Sequence, residues 1–261
     1  MITILPCAGI GSRLGVPIKE LYEVINQPMI NYAVRTALAY ESRDIVLIIA
    51  PGKESVAKHV TETWSRYGVR VATVYQNQPL GTGHALSLLS DLIVRERVLY
   101  LMPDVIIKPH LKPVLDGTFN HLDTLAWVFL WRTQVPEEKG CFHLDRFGGG
   151  TVTAHVEKQV PPWFAEPTSV QTRWPEYLAW NAAILAPGFL TLCAKSWNRG
   201  TWRKWAIRNR GNDNEFAIDD AFDLCLEEKF RMTGIRADGW AQDCGTAEGI
   251  AIAEEHLREG R

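Results

Sequence analysis

Several features that define large protein classes are missing from this 261-residue sequence. Its longest apolar runs, such as residues 125–131, are far shorter than the roughly 20 residues that span a bilayer. The first residues also lack a charged segment followed by a long apolar one. Basic residues give no excess charge, since 28 Lys and Arg stand against 30 Asp and Glu. We therefore expect no membrane partner and no nucleic-acid partner.

Cysteine is sparse and scattered. The five cysteines are odd in number and include no closely spaced pair: Cys7, Cys141, Cys193, Cys225 and Cys244. This pattern gives no support for a disulfide framework or a zinc site. We expect a cytoplasmic protein in a reducing environment. With 46% hydrophobic residues, the chain is long enough to bury one large core.

The first half of the chain alternates between apolar runs and helical patterns. The strand-like runs lie at 2–5, 45–50, 69–75, 97–102 and 124–131. Helical patterns such as "PMINYAVRTALAY" and "GHALSLLSDLIV" separate them. Buried parallel strands read as continuous apolar runs, and alternation with helices implies right-handed crossovers. The sequence therefore predicts an α/β fold, an open and mostly parallel sheet flanked by helices, with its ligand at the carboxyl ends of the strands.

The pattern changes after about residue 131. The segment "CFHLDRFGGGTVTAHVEK" predicts two strands around a glycine-rich turn, and a segment rich in Pro and Trp follows it. Helical patterns return at 187–208, 218–229 and 246–259. We predict one domain over residues 1–261, with a small subdomain of mixed strands and loops within its second half.

The stretch "ILPCAGIGSRLGVPIKELYEV", residues 4–24, carries the first chemical signal. An apolar strand runs into Gly9 and Gly11, whose backbone freedom lets successive amide groups point into one concavity. Arg13 and Lys19 add positive charge, so the stretch predicts a phosphate-binding loop. A dinucleotide-binding loop would need a third glycine that opens a helix and a later acidic residue, and a Walker A loop would need Gly-Lys-Ser/Thr. This stretch meets neither requirement, so neither type of loop is predicted. A plain glycine turn stays open on this motif alone.

This stretch and six later ones resemble, in order, the motifs of the sugar-1-phosphate nucleotidylyltransferases, the nucleotidyltransferase family of sugar-nucleotide pyrophosphorylases. The later ones are "QNQPLGTGHAL", "LYLMPDV", "EEKGCFHLD", "HVEKQ", "AWNAAIL" and "WAQDCGTAEG". The resemblance covers nearly the whole chain and implies a Rossmann-like sheet of the nucleotide-diphospho-sugar transferase type. It implies a nucleotide-binding half at about 1–131 and an acceptor-binding portion at about 132–245. Mg²⁺ is the implied cofactor.

The resemblance also implies roles for individual residues. Nucleotide binding is implied for Leu5, Ala8, Gly9, Gly11, Ser12, Arg13, Gln76, Gly81 and Thr82. Acceptor binding is implied for Gly140, Glu157, Lys158 and Asn181, and metal binding for Asp104 and Asp243. The implied catalytic residues are Arg13, Lys19, Asp104 and Lys158. Magnesium prefers carboxylate and phosphate oxygens, which fits two aspartates that follow apolar strands.

The expected reaction follows from the charge of the substrates. A phosphate monoester is mostly dianionic at pH 7, so an acceptor phosphate needs no general base. We predict in-line attack of a sugar 1-phosphate or related phosphorylated polyol on the α-phosphorus of UTP or dTTP, with pyrophosphate leaving. Two alternatives stay open: guanylyl or cytidylyl transfer to a non-sugar or cyclitol phosphate, and a non-catalytic regulatory subunit. A homo-oligomer is also left open.

Two observations bear on the acceptor. Pro103, Gln159 and the run "NAA" at 181–183 depart from the family pattern, which puts an ordinary hexose 1-phosphate in doubt as the acceptor.

Six of the ten tryptophans lie between Trp163 and Trp205. An apolar cap or an oligomer interface explains such a cluster. An acceptor pocket for a less polar phosphate, lined by Trp174 or Trp180, explains it as well.

Overall fold

The computed structural model describes residues 1–11, 13–111, 123–133, 139–145, 150–158 and 178–260. The elements of the first half are β1 (Ile2–Cys7), β2 (Glu23–Val24), β3 (Gln27–Pro28), α1 (Ile30–Ala39), β4 (Asp44–Ile49), α2 (Glu54–Trp64), β5 (Arg70–Tyr75), α3 (Thr82–Ser87), β6 (Val98–Leu101), β7 (Val105–Lys108) and β8 (Thr124–Arg132). Those of the second half are β9 (Gly140–Leu144), β10 (Val152–Glu157), β11 (Leu178–Leu185), α4 (Pro187–Arg199), α5 (Arg203–Arg210), α6 (Ile218–Glu227), β12 (Arg231–Arg236), β13 (Trp240–Asp243) and α7 (Ala247–Arg258).

A parallel sheet forms the first half of the fold. Strands β6, β1, β4 and β5 lie side by side in that order, and Ile4 of β1 pairs with Val46 of β4 and Tyr100 of β6. Strand β11 extends this sheet antiparallel to β6, and its other edge pairs with β8, which lies parallel to β12. The hairpin β9–β10 joins β11. The predicted open, mostly parallel α/β sheet is confirmed, and its antiparallel strands belong to the second half.

Apolar cores cover both faces of this sheet because successive strand residues point to opposite sides. Ile4 packs in a core with Leu86 of α3 and Phe222 of α6. The next residue, Leu5, packs on the other face with Val34 of α1. The carboxyl ends of the parallel strands are left open between these layers. Within the described ranges, no helix has the length and apolar character needed to cross a membrane.

Two helical predictions need correction. The pattern at 187–208 is interrupted after Arg199, because Gly200 adopts a left-handed φ of 69° that ends α4, and α5 starts at Arg203. The pattern "GHALSLLSDLIV" is α-helical only to Ser87, and tighter turns follow, such as the bond from Leu92 N to Leu89 O. The predicted hairpin on either side of the glycine-rich turn is confirmed as β9 and β10.

Candidate active site

A cleft of about 420 Å³ opens at the carboxyl ends of β1, β5 and β6. Its other wall comes from β9, β10 and β11. Most of the predicted site residues line it: Ala8, Gly9, Arg13, Lys19, Gln76, Gly81, Thr82, Asp104, Gly140, Glu157, Lys158, Asn181 and Asp243. Leu5 does not line the cleft, because its side chain is buried in the core, and neither does Gly11. Ser12, Gln159, Trp163 and Trp174 lie outside the described residues.

A buried ion pair anchors the loop after β1. Lys53 Nζ donates to the carbonyl oxygens of Cys7 at 2.9 Å and Gly9 at 2.6 Å. The same ammonium donates to both carboxylate oxygens of Glu20, at 2.8 and 2.9 Å. Lys53 is 6% exposed and Glu20 is fully buried. The pair therefore fixes the backbone that leads into the glycine loop.

Asp104 and Asp243 are brought together by the pairing of β7 with β13. In this register Asp243 lies opposite Val105, and Cys244 N donates to the Asp104 carbonyl at 2.8 Å. Lys19 Nζ lies 2.5 Å from Asp104 Oδ2. Burial alone would lower the pKa of Lys19, but Asp104, together with Glu20 and Asp243, outweighs burial and the pKa is raised. The lysine therefore stays a cation inside the cleft.

Arg13 reaches the same end of the cleft beside Gly245. A Cβ atom on Gly245 would lie 3.0 Å from Arg13 Nη2 and 2.9 Å from Asp243 Oδ1. Asp243 Oδ1 also accepts a hydrogen bond from Gly245 N at 2.7 Å. Two carboxylates and two cations thus share one end of the cleft, an arrangement that suits a polyanionic ligand with a metal ion.

The loop after β5 forms the next part of the cleft. Gln76 Nε2 donates to the Gly81 carbonyl at 2.9 Å and lies 2.9 Å from His84 Nδ1. Gly81, with a φ of 92°, is the N-cap of α3. Thr82, although of a typical capping residue type, does not cap the helix: it is the first residue of α3, and its Oγ1 accepts from Ile218 N at 2.9 Å. Burial lowers the pKa of His84, whose ring packs on a tryptophan.

Gly81→Ala is expected to destabilise the protein by at least about 2 kcal/mol more than Gly52→Ala. Both glycines have positive φ, 92° and 89°, and Gly81 also has a ψ of 169°, a combination that is essentially restricted to glycine, so an alanine there carries a backbone cost in addition to any clash. A Cβ at Gly81 would lie 2.4 Å from the Phe216 carbonyl oxygen, whereas one at Gly52 meets nothing within 4 Å. Urea denaturation measures the difference, and equal losses in the two variants would contradict it.

Buried charges lie behind the opposite end of the cleft, where Asp219 lines it. His155 Nδ1 lies 3.1 Å from Asp223 Oδ1, and its Nε2 lies 3.3 Å from Asp219 Oδ1. Burial alone would lower the pKa of His155, but the two aspartates outweigh burial and raise it to about 10. His155 is therefore an imidazolium at neutral pH. Trp180 Nε1 donates to Asp219 Oδ1 at 2.8 Å and so fixes that carboxylate further.

Glu157 and Lys158 lie at the end of β10, next to this cluster. Burial, and then the charge of Asp219, raise the pKa of Glu157 to about 8. Lys158 has a left-handed φ of 51°, and its Nζ lies 3.7 Å from Glu157 Oε1. Its side chain is 56% exposed and faces the cleft mouth. Asn181 of β11 is buried and completes this wall.

Some residues of the site were missed by the sequence analysis. They are Glu20, Lys53, His155, Asp219 and Asp223. The i,i+4 spacing of Asp219 and Asp223 puts them on one face of a predicted helix, which was a readable signal. The ion pair between Lys53 and Glu20 had none, because the two residues are distant in sequence and both types are usually exposed.

Known proteins resemble this chain over most of its length. A family model described as Nucleotidyl transferase matches residues 7–260. The low-salt glycan biosynthesis nucleotidyltransferase Agl11 of Haloferax volcanii is 25% identical over 99% of this chain and 66% of its own length. The UTP–glucose-1-phosphate uridylyltransferase AglF of the same organism is 23% identical over 99% of this chain and 97% of its own. The bifunctional protein GlmU of Neisseria meningitidis is 32% identical over 60% of this chain, which spans only 32% of GlmU.

Solved structures share the fold. A UDP-glucose pyrophosphorylase complexed with UDP-glucose superposes with a TM-score of 0.73 and 20% identity, covering 100% of this chain and 99% of that one. The UTP-bound UGPase from Acinetobacter baumannii gives a TM-score of 0.71 and 21% identity, covering 100% and 94%. At these identities the likeness shows a common architecture, the mostly parallel sheet flanked by helices.

Proposed function

The chain belongs to the nucleotidyl transferase family, and we propose that it couples UTP or dTTP to a sugar 1-phosphate or a related phosphorylated polyol, releasing pyrophosphate. The observation that carries this proposal is the single cleft that joins a cationic, metal-competent end to a polar second wall. Transfer between two anions needs both to be held together and their repulsion offset. AglF, a uridylyltransferase by name, aligns over nearly all of both chains and supports the choice of UTP.

The nucleoside triphosphate is proposed to bind between the two loops of the first half. Arg13 and Lys19 then offset the charge of its phosphates, next to the backbone of Ala8 and Gly9. Its base lies against Gln76, Gly81 and Thr82, since a side-chain amide and nearby backbone groups offer both donors and acceptors. UTP or dTTP is preferred here on the resemblance, with GTP and CTP as the alternatives that the assay below decides.

Mg²⁺ is proposed as the cofactor, held by Asp104 and Asp243. The residues fit it: among the described contacts, Asp104 is bonded through Oδ2 and Asp243 through Oδ1, so each keeps a second carboxylate oxygen for a metal. Carboxylate oxygens are the ligands that Mg²⁺ takes together with water and phosphate oxygens. When bound, the ion supplies positive charge to the triphosphate.

The acceptor is proposed to bind at the second wall. Lys158, half exposed at the cleft mouth, holds the acceptor phosphate, while Glu157, Asn181 and the backbone of Gly140 contact the rest of the molecule. No histidine, serine or cysteine is found among the described residues that line the cleft. This agrees with direct attack by a dianionic phosphate, which needs neither a covalent intermediate nor a general base.

Pyrophosphate release with Mg²⁺ tests the proposal. Five triphosphates, UTP, dTTP, GTP, CTP and ATP, are crossed with glucose 1-phosphate and other phosphorylated acceptors. We expect turnover with UTP or dTTP, loss of that turnover in Asp104→Ala, and full activity in the matched control Asp91→Ala, whose side chain is exposed and does not line the cleft. A triphosphate that binds without any turnover across the panel would favour a regulatory subunit instead.

The cellular setting and the assembly stay predictions. All five cysteines are free and buried, which supports the proposed reducing, cytoplasmic environment. Sedimentation of the purified chain would determine whether it forms a homo-oligomer. Neither property enters the chemistry proposed above.

A further inference from the structure

Glu157 is a buried carboxylate that forms no ion pair with a buried cation among the described residues, although His155, which two aspartates share, lies within 4.8 Å of it. It is 8% exposed, and in the part of the chain that the structure describes its carboxylate accepts no hydrogen bond. Its ion partner is Lys158 Nζ at 3.7 Å, on a side chain that is more than half exposed. Under the proposed function Lys158 holds the acceptor phosphate. To be ionised, Glu157 then needs another positive group, and a bound ligand can supply one.

Asp219 presents a second carboxylate at the same point. A Cβ atom on Gly140 would lie 2.7 Å from Asp219 Oδ1 and 2.8 Å from Glu157 Oε2, so both carboxylates converge on this glycine. One oxygen of each lies within 4.8 Å of the other. Charge-assisted N–H···O bonds are about 2.7–2.9 Å long, so a single ammonium can bridge two oxygens at such a separation.

The other cations of this region are already paired. Four acidic side chains face three cations: Glu157, Asp219, Asp220 and Asp223 against His155, Lys158 and Arg210. His155 is shared by two aspartates, and Arg210 binds Asp220 at 2.6 and 3.0 Å. Lys139 also lines the cleft, but no ion pair between the described residues joins it to Glu157 or Asp219. When Glu157 is ionised, the cluster is therefore short of one positive charge, and in the ligand-free chain the raised pKa of Glu157 means that a proton fills this place.

A metal ion does not fit this deficit. His155, Glu157 and Asp219 are close enough to share one ion, but both ring nitrogens of His155 face aspartate oxygens and the ring is an imidazolium. A protonated imidazole offers no lone pair to a metal. Without His155 as a ligand, only two carboxylates remain, on one side of an open cleft. This arrangement suits the ammonium group of a ligand better than a metal ion.

We propose that the acceptor carries a cationic amino group, as an amino-sugar 1-phosphate or an amino-alcohol phosphate does, and that Glu157 and Asp219 bind this group together. This inference rests on the proposed function and narrows its acceptor class. Asp219 is then a residue that determines specificity, and His155 and Trp180 are positioning residues that hold its carboxylate. In the ligand-free chain, burial and Asp219 raise the pKa of Glu157. An ammonium group bound next to Glu157 would lower this pKa again and favour the ionised carboxylate.

Binding to matched acceptors tests the inference without requiring turnover. Titration calorimetry with Mg²⁺ and α,β-methylene-UTP compares glucosamine 1-phosphate with glucose 1-phosphate, and phosphoethanolamine with 2-hydroxyethyl phosphate. We expect the amino member of at least one pair to bind at least about tenfold more tightly than its hydroxyl twin, as a charge-assisted bond to a buried carboxylate implies. Hydroxyl members that bind equally well or better, or acceptors that do not bind at all, would overturn it.

Two variants locate the preference. Asp219→Asn is expected to reduce it to less than about threefold while leaving the affinity for α,β-methylene-UTP unchanged, since Asp219 lies at the acceptor end. Gly140→Ala places a methyl group between the two carboxylates and gives the same result if Asp219→Asn fails to fold. Asp91→Asn is the control that keeps the preference. A preference that survives both Asp219→Asn and Gly140→Ala would refute the carboxylate pair, whereas failure to bind the UTP analogue would count against the proposed function itself.

Discussion

Asp104→Asn is expected to lower kcat for pyrophosphate release by at least about 10²–10³-fold. The substitution keeps the size of the side chain but removes the charge that is proposed to hold Mg²⁺ and that binds Lys19 Nζ at 2.5 Å. Asp104 is also the main group that, with Glu20 and Asp243, holds the pKa of Lys19 above its ordinary value against the effect of burial. Its loss therefore removes a proposed Mg²⁺ ligand and leaves Lys19 Nζ without the carboxylate that positions it.

The control for this variant separates chemistry from folding. The Asp104 carbonyl still accepts from Cys244 N, so β7 and β13 stay paired, and the free energy of unfolding is expected to fall by at most about 1–3 kcal/mol, the cost of the weakened Lys19–Asp104 bond. Triphosphate affinity, measured by calorimetry at fixed Mg²⁺, should fall less than kcat does. An Asp104→Asn protein that keeps kcat within threefold of the parent would remove Asp104 from the proposed metal site.

The parts of the site that follow one strand directly were open to prediction from sequence. The glycine loop after β1 and Asp104 after β6 each stand at the end of a continuous apolar run, and the carboxyl ends of parallel strands meet at one edge. That Asp243 belongs beside Asp104 could be predicted only from the family resemblance. The register of β13 against β7 is set by tertiary packing that spacing along the chain does not reveal.

The buried charges at the acceptor end of the cleft were even less open to prediction from the sequence. The spacing of Asp219 and Asp223 places them on one helix face, but which strand that face packs against depends on how α6 docks on β10. His155 lies in a predicted strand, at a position where a buried apolar side chain is usual. Nothing in the neighbouring sequence indicates that it is a cation. Its charge arises only when the fold puts it between two aspartates, which no local pattern encodes.

Lys53→Met is expected to destabilise the protein by about 3–5 kcal/mol, the cost of leaving one partner of a buried ion pair alone. Glu20 would stay fully buried without a counter-charge, and the carbonyl oxygens of Cys7 and Gly9 would lose their donor. Lys58→Met is the matched control. Its lysine lies 3.9 Å from Glu62 in an exposed pair, so its loss should change stability by less than about 0.5 kcal/mol. Urea denaturation of both variants measures the contrast.

The double variant Lys53→Met, Glu20→Leu distinguishes an uncompensated charge from a lost packing contact. If the buried charge of Glu20 dominates, removing it should recover a substantial part of the stability, because apolar pairs often replace buried ion pairs at little cost. The carbonyls of Cys7 and Gly9 would still lack a donor, so triphosphate affinity should stay weakened in the double variant although its fold is restored. Stability that does not recover would assign the loss to the loop backbone. Stability and nucleotide affinity that recover together would show that Lys53 acts only on Glu20 and does not position the loop.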